Sequence, residues 1–263
     1  MTSASKSKAQ RRAESQQRAA ERRAAELRKQ RVKMASRVGG AAVLIGVIVL
    51  IVMLVTGGST GVPPSQKNPH VATEAIPASM HVIAPPAGTP GPEVVPIPSG
   101  AKLATLVNDA SGQTIDGVQC QDGEQTVTHV HTHLTIFVNG KARVIPYGIG
   151  IPGFQAVQTA QGAFVETGSC FYWLHVHAED GIIHIESPST TLTFHLGQFF
   201  AEWGQPLSRT QVGPAVGPVT AFFDGRLYTG NLADLPLGYH YQIQLDVGTP
   251  IVAPVKITNW GSL

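Results

Sequence analysis

Two short stretches, THVHTHLTIFV (128–138) and WLHVHAEDGIIHIE (173–186), carry six of the chain's ten histidines together with Glu179, Asp180 and Glu186. His129, His131 and His133 recur at every second position in the first; His175 and His177 do so in the second, with His184 and Glu186 following. Alternate residues of a strand share a face. Two imidazoles at i and i+2, with a third from across the ladder, can therefore close on one metal ion with nitrogens about 2.0–2.1 Å away. Glu186 or Glu179 would be a further ligand, an acceptor for an imidazole N–H, or a general base. Imidazoles without thioether or thiolate suit Zn(II) or Cu(II) better than Cu(I). Without a metal, the same side chains would make a histidine–carboxylate hydrogen-bond network or a pH-sensitive surface. The candidate ligands are His175, His177 and His184, with His129, His131 and His133 either sharing that site or forming a second.

The neighbours of these residues say how they are positioned. If Asp180-Gly181 is a two-residue hairpin turn, as that dipeptide favours, His177 faces His184 and His175 faces Glu186. Leu174, Val176, Ala178, Ile183 and Ile185 then form the opposite, apolar face. A one-residue slip would mix histidine with isoleucine on both faces. In the other stretch Val130, Leu134, Ile136 and Val138 share the apolar face, and Phe137 lies with the histidines. Trp173 and Ile182 also fall on the histidine faces, which predicts a covered surface. His195 and His240 stand alone and read as packing or surface residues, although His195 could complete a ligand set.

Turn signals at Asn139-Gly140, Asp180-Gly181 and Asp224-Gly225 punctuate runs rich in Val, Ile, Thr and Phe. That pattern predicts a mainly β domain over 101–263, an antiparallel sandwich or barrel. One short helix is expected over LGQFFAEWG (196–204), where Phe199, Phe200 and Trp203 recur at helical spacing, as a lid or plug. Cys120 and Cys170 are the only cysteines; in an extracytoplasmic domain they read as a disulfide that staples the two histidine-bearing segments, with thiolate metal ligands the alternative.

The location follows from the N-terminal third. Residues 1–37 hold twelve Lys/Arg against three Glu, about +9, while the whole chain is +2. The next stretch, 38–56, carries no charge, and nineteen residues at 1.5 Å each reach roughly 28 Å, close to the hydrocarbon thickness of a bilayer. These features predict a cytoplasmic basic helix, a single uncleaved transmembrane helix and an extracytoplasmic C-terminal part. Anionic lipid headgroups are the expected partner of the basic tail; with no aromatic interleaving, nucleic acid is not. Ala42 and Gly46 form a small-xxx-small pair that hints at a homodimer. Residues 57–100 hold ten of nineteen prolines, which predicts an extended stalk.

Several catalytic signatures are missing. YGIGIPG (147–153) lacks the Lys-Ser/Thr of a phosphate-binding loop, and there is no G-x-S-x-G elbow.

WLHVHAEDG resembles the copper-ligand strand of copper/zinc superoxide dismutases, extracytoplasmic disulfide-bonded β-barrels in bacteria. That resemblance implies His175 and His177 as copper ligands. The residues after His177 depart from the signature, and the family's Gly-rich cysteine segment is not found. Cupins share H-x-H on a barrel strand, but their glutamate lies four or five residues on, whereas Glu179 lies two after His177. Three-His zinc lyases share only the H-x-H with a cross-strand histidine. Over about residues 120–204, HVHTHLTIFVNG, WLHVHAEDGIIHIESP and LGQFFAEWG resemble prokaryotic envelope proteins of unassigned activity, which implies a shared domain. The functions these features favour are a metal-binding module, a metal-dependent envelope enzyme of superoxide or hydrolytic chemistry, or a structural module with a metal-free His–Glu network.

Overall fold

The computed structural model describes residues 71–106 and 110–263. The expected basic segment (1–37), transmembrane helix (38–56) and residues 57–70 of the Pro-rich stretch lie outside the described residues. No helix among the described residues is long and apolar enough to cross a membrane.

The fold is mainly β. Eight strands form its principal sheet: β1 (Thr73–Glu74), β2 (Thr128–Val138), β3 (Lys141–Arg143), β4 (Leu174–His175), β5 (Ile182–Ser187), β6 (Val219–Phe223), β7 (Arg226–Tyr228) and β8 (Tyr241–Val247). Their spatial order is β1-β7-β6-β8-β2-β5-β4, with β3 also on β2. All pairs are antiparallel except one: β8 runs parallel to β2, from Tyr241 opposite Thr132 to Val247 opposite Val138. The sheet is thus mixed and open, not the antiparallel sandwich or closed barrel that the turn signals suggest. Tight turns report only antiparallel neighbours, whereas a parallel pair is joined through a long crossover that leaves no local mark.

Two of the three expected turns form as two-residue hairpins. Asn139 and Gly140 (φ 51° and 72°) join β2 to β3, and Asp224 and Gly225 (φ 48° and 76°) join β6 to β7. Positive φ at both central residues matches the right-handed twist of the flanking strands. The third turn differs. β4 and β5 pair Leu174 with Ile185 and His175 with His184, two residues away from the expected register. The cause is competition for backbone groups: Val176 N–H bonds the Ile149 carbonyl, Gly148 N–H the Val176 carbonyl and Leu134 N–H the Gly181 carbonyl. The 176–181 segment is therefore a longer connection whose hydrogen bonds go elsewhere. A shift of two preserves the faces.

The apolar face carries the main core. Val130, Leu134, Ile136, Leu174, Ile183 and Ile185 meet Ile243, Leu245 and Phe223 there. Helix α1 (Leu196–Trp203) packs Leu196, Phe199, Phe200 and Trp203 into the same core. Its first turn is closed by the Gln198 side chain, which accepts from His195 N–H at 2.9 Å. Gly204, at φ 66°, ends it in the left-handed conformation that a side chain would resist. Phe137 and Ile182 lie in smaller clusters apart from this core, but Trp173, expected on the histidine face, packs against Phe194 at 6.2 Å in the main core.

Residues 71–100, expected as part of a stalk, lie against the β-domain. Thr73–Glu74 pairs with β7, and Val82–Ile83 pairs with Ile251–Val252. Gly88–Pro90 pairs with Pro96–Pro98, and Val95 is buried against Ile182 and Ile257. Proline cannot donate to a ladder, which confines such a segment to edges and short bridges.

Candidate metal centre

The register of three strands assembles the cluster. His131 on β2 stands opposite His184 on β5, which stands opposite His175 on β4; in the next row His129 faces Glu186. His177 follows β4 by two residues, its carbonyl holding Val165 N–H at 2.9 Å. Phe164 stacks on the His177 ring at 5.0 Å, and Phe171 closes on His175 at 5.6 Å. The Cys120–Cys170 disulfide, with Cα atoms 5.6 Å apart, ties this wall down. Cys120 also pairs with Tyr172, three residues before His175.

The polar atoms converge. His175, His177, His184 and Glu186 are all buried, and each offers a ligand atom within 4.8 Å of the others. His129, His131 and His184 form a second such group. These groups can hold a metal ion.

Hydrogen bonds fix which nitrogens face inward. His175 Nδ1–H donates to the Tyr172 carbonyl at 2.8 Å, and His177 Nδ1–H donates to the Val165 carbonyl at 2.6 Å. A carbonyl only accepts, so in each neutral ring the proton sits on Nδ1 and Nε2 keeps its lone pair. Those two Nε2 atoms are 3.0 Å apart. His184 is bracketed by carboxylates: Nε2 lies 2.7 Å from Glu93 Oε1 and Nδ1 lies 3.2 Å from Glu186 Oε1. His131 Nε2 also lies 3.2 Å from His184 Nδ1. Glu186 Oε1 reaches His129 Nε2 at 3.1 Å and His175 Nε2 at 3.8 Å.

Electrostatics follow from these contacts. Burial, with the neighbouring His177 and His184, holds His175 well below the usual histidine range. Burial and His184 likewise lower His177. Burial and His184 push His131 down to about 2. These rings are neutral, the form a metal requires. Burial opposes charge on His184 too, but hydrogen bonds to Glu186 and Glu93 outweigh it and raise the ring to about 9. Glu93, despite its burial, is held below the usual carboxylate range by His184. A metal at His184 Nδ1 must therefore displace a proton.

The other candidates lie elsewhere. His133 Nε2–H donates to the Asp180 carbonyl at 2.9 Å while Nδ1 accepts from Thr135 at 3.2 Å, so the ring joins neither group. Glu179 pairs with Lys102 and lines a separate small cavity with His133. His195 begins helix α1, and His240 stacks between Tyr239 and Trp260. Two carboxylates join the cluster that the motifs did not single out: Glu93, and Glu124, whose Oε1 is 3.4 Å from His177 Nε2. Glu93 is the only acid between Glu74 and Asp109, and that isolation among prolines was its one visible mark.

No protein-family model, curated protein or solved structure matches the chain.

Proposed function

We propose that the chain is a single-pass membrane-anchored protein whose extracytoplasmic β-domain binds a divalent transition metal, Zn or Cu(II). His175 Nε2, His177 Nε2, His184 Nδ1 and Glu186 are its ligands. The basic segment before an uncharged stretch of bilayer length supports the anchor.

One observation carries the metal reading: the paired Nε2 atoms of His175 and His177. Both rings spend their proton on a backbone carbonyl, so two bare lone pairs face each other at 3.0 Å. Two acceptors that close repel unless a cation lies between them. Atoms about 2.0–2.1 Å from one tetrahedral ion are about 3.3–3.4 Å from each other, so a small adjustment seats both. A metal-free hydrogen-bond network explains His184 between its carboxylates, but leaves the His175–His177 approach without a hydrogen. The backbone bonds on Nδ1 are also the outer contacts that orient metal-binding imidazoles.

The test is metal content and thermal melting of the full chain in detergent, purified without nickel resin, beside His175→Ala/His177→Ala. One equivalent of zinc or copper, lost in the double variant with a melting temperature several degrees lower, is the expected result. A wild-type protein that holds no metal tightly overturns the proposal.

A further inference from the structure

The inner ligand set is closed to solvent, yet an ion has to reach it. Side-chain exposure is 0% for His175, 5% for His177, 8% for His184 and 2% for Glu186. His129 is different: its side chain is 45% exposed while its Nε2 lies 3.1 Å from the buried Glu186 Oε1. His131 connects the two, its ring 4.9 Å from His129 and 4.4 Å from His184. From His184 the next rings are His177 at 4.6 Å and His175 at 5.2 Å. The imidazoles thus form an unbroken file from the surface to the buried end.

The two ligand groups overlap in one residue. His184 belongs to both, and its Nε2 is committed to Glu93, so only Nδ1 is left to offer. One lone pair serves one ion at a time. Full occupation of the outer and inner groups together is therefore excluded while Glu93 holds Nε2. Glu186 Oε1 spans the same gap, with His129 Nε2 on one side at 3.1 Å and His175 Nε2 on the other at 3.8 Å.

We infer that His129 and His131 form an acquisition station for the divalent cation, which they pass inward through the shared His184 and Glu186. Resting on the metal reading above, it adds the route by which the site loads. At each exchange His184 and Glu186 keep two donors in place, so the ion is never released to water. His177 also has a partner near the surface, Glu124, 42% exposed, but among the described residues Glu124 belongs to no group of three that could hold an ion.

The experiment is stopped-flow loading of the metal-stripped full chain in detergent with Co(II), whose visible absorption reports the ligand set. Wild type is compared with His129→Ala, an exposed change compatible with folding, and with His131→Gln and Glu124→Gln. The expected result is that loading slows at least tenfold in His129→Ala and His131→Gln. The final spectrum and one-to-one stoichiometry stay as in wild type, and Glu124→Gln stays within twofold. Unchanged rates in the two histidine variants overturn the station while leaving the metal site intact. So does a wild type that binds two ions and loses one in His129→Ala, because the outer group would then be a permanent site. Loading slowed only by Glu124→Gln would move the entrance to His177. A wild type that binds no Co(II) removes the station and the metal reading together.

Discussion

Glu93 precedes His184 by ninety-one residues, yet its Oε1 lies 2.7 Å from the His184 Nε2, both side chains being buried. The contact ties the proline-rich segment to β5, the strand next to the sheet's β4 edge. It also gives that segment a chemical role, because Glu93 accepts the Nε2 hydrogen bond and so leaves Nδ1 facing inward. Asp180, buried beside Glu93, is raised to about 8 by burial and by the charge of Glu93.

Glu93→Ala is therefore expected to weaken metal binding about 10–100-fold, the usual consequence of losing the residue that orients a ligating imidazole. Glu93→Gln keeps an acceptor and should fall between. Competition titration against a chelator of known affinity measures both. Equal affinity in wild type and Glu93→Ala would mean that His184 is oriented without it.

The disulfide links stability to the same centre. Cys120 and Cys170 enclose a loop with a sequence separation of 50, and closing a loop of that length removes unfolded-chain entropy worth about 4 kcal/mol. For a domain of this size that corresponds to a melting temperature about 8–16 °C lower when the pair is replaced by alanine. Cys120 pairs with Tyr172, whose carbonyl takes the His175 Nδ1 proton. The alanine pair should thus also bind metal more weakly, and calorimetry with metal titration checks both effects. A variant that loses stability but keeps full affinity would show that the Tyr172 carbonyl is held by other contacts.

Some of this is legible in the amino-acid sequence, and the rest is hidden for physical reasons. Alternation along β2 and β5 is visible because one face must be apolar, and it assigns the faces of His129, His131 and His184 without any knowledge of the partner strands. The helix at 196–203 is equally visible, since aromatic spacing and a terminal glycine are local. The His175–His184 pairing lies two residues from the register that a tight turn implies, because the backbone of 176–181 bonds to Gly148, Ile149 and Leu134, far off in sequence. Glu93 and the parallel β2–β8 pair are the same kind of case. Both depend on where distant chain returns, and neither leaves a periodic trace. His133 shows the converse: it has the right spacing and face, but sits beyond the row that β4 supplies.

Glu202 offers a prediction away from the cluster. It lies on helix α1, 1% exposed, with neither carboxylate oxygen hydrogen-bonded. Burial raises its pKa well above 4.5. Between the unfolded value and that raised one the folded state binds more protons than the unfolded chain, so the stability this residue permits is greatest in acid and declines as pH rises. Glu202→Met keeps an unbranched side chain of similar length and removes the ionisable group. The variant should be more stable than wild type at pH 7 by about 1–3 kcal/mol, the cost of an unsatisfied buried polar group. The gap should narrow toward pH 4, where the carboxyl is neutral in the folded protein and mostly protonated in the unfolded chain. Melting curves of the two proteins from pH 4 to 8 measure it; parallel curves across that range would show that Glu202 finds a partner or water in the folded protein.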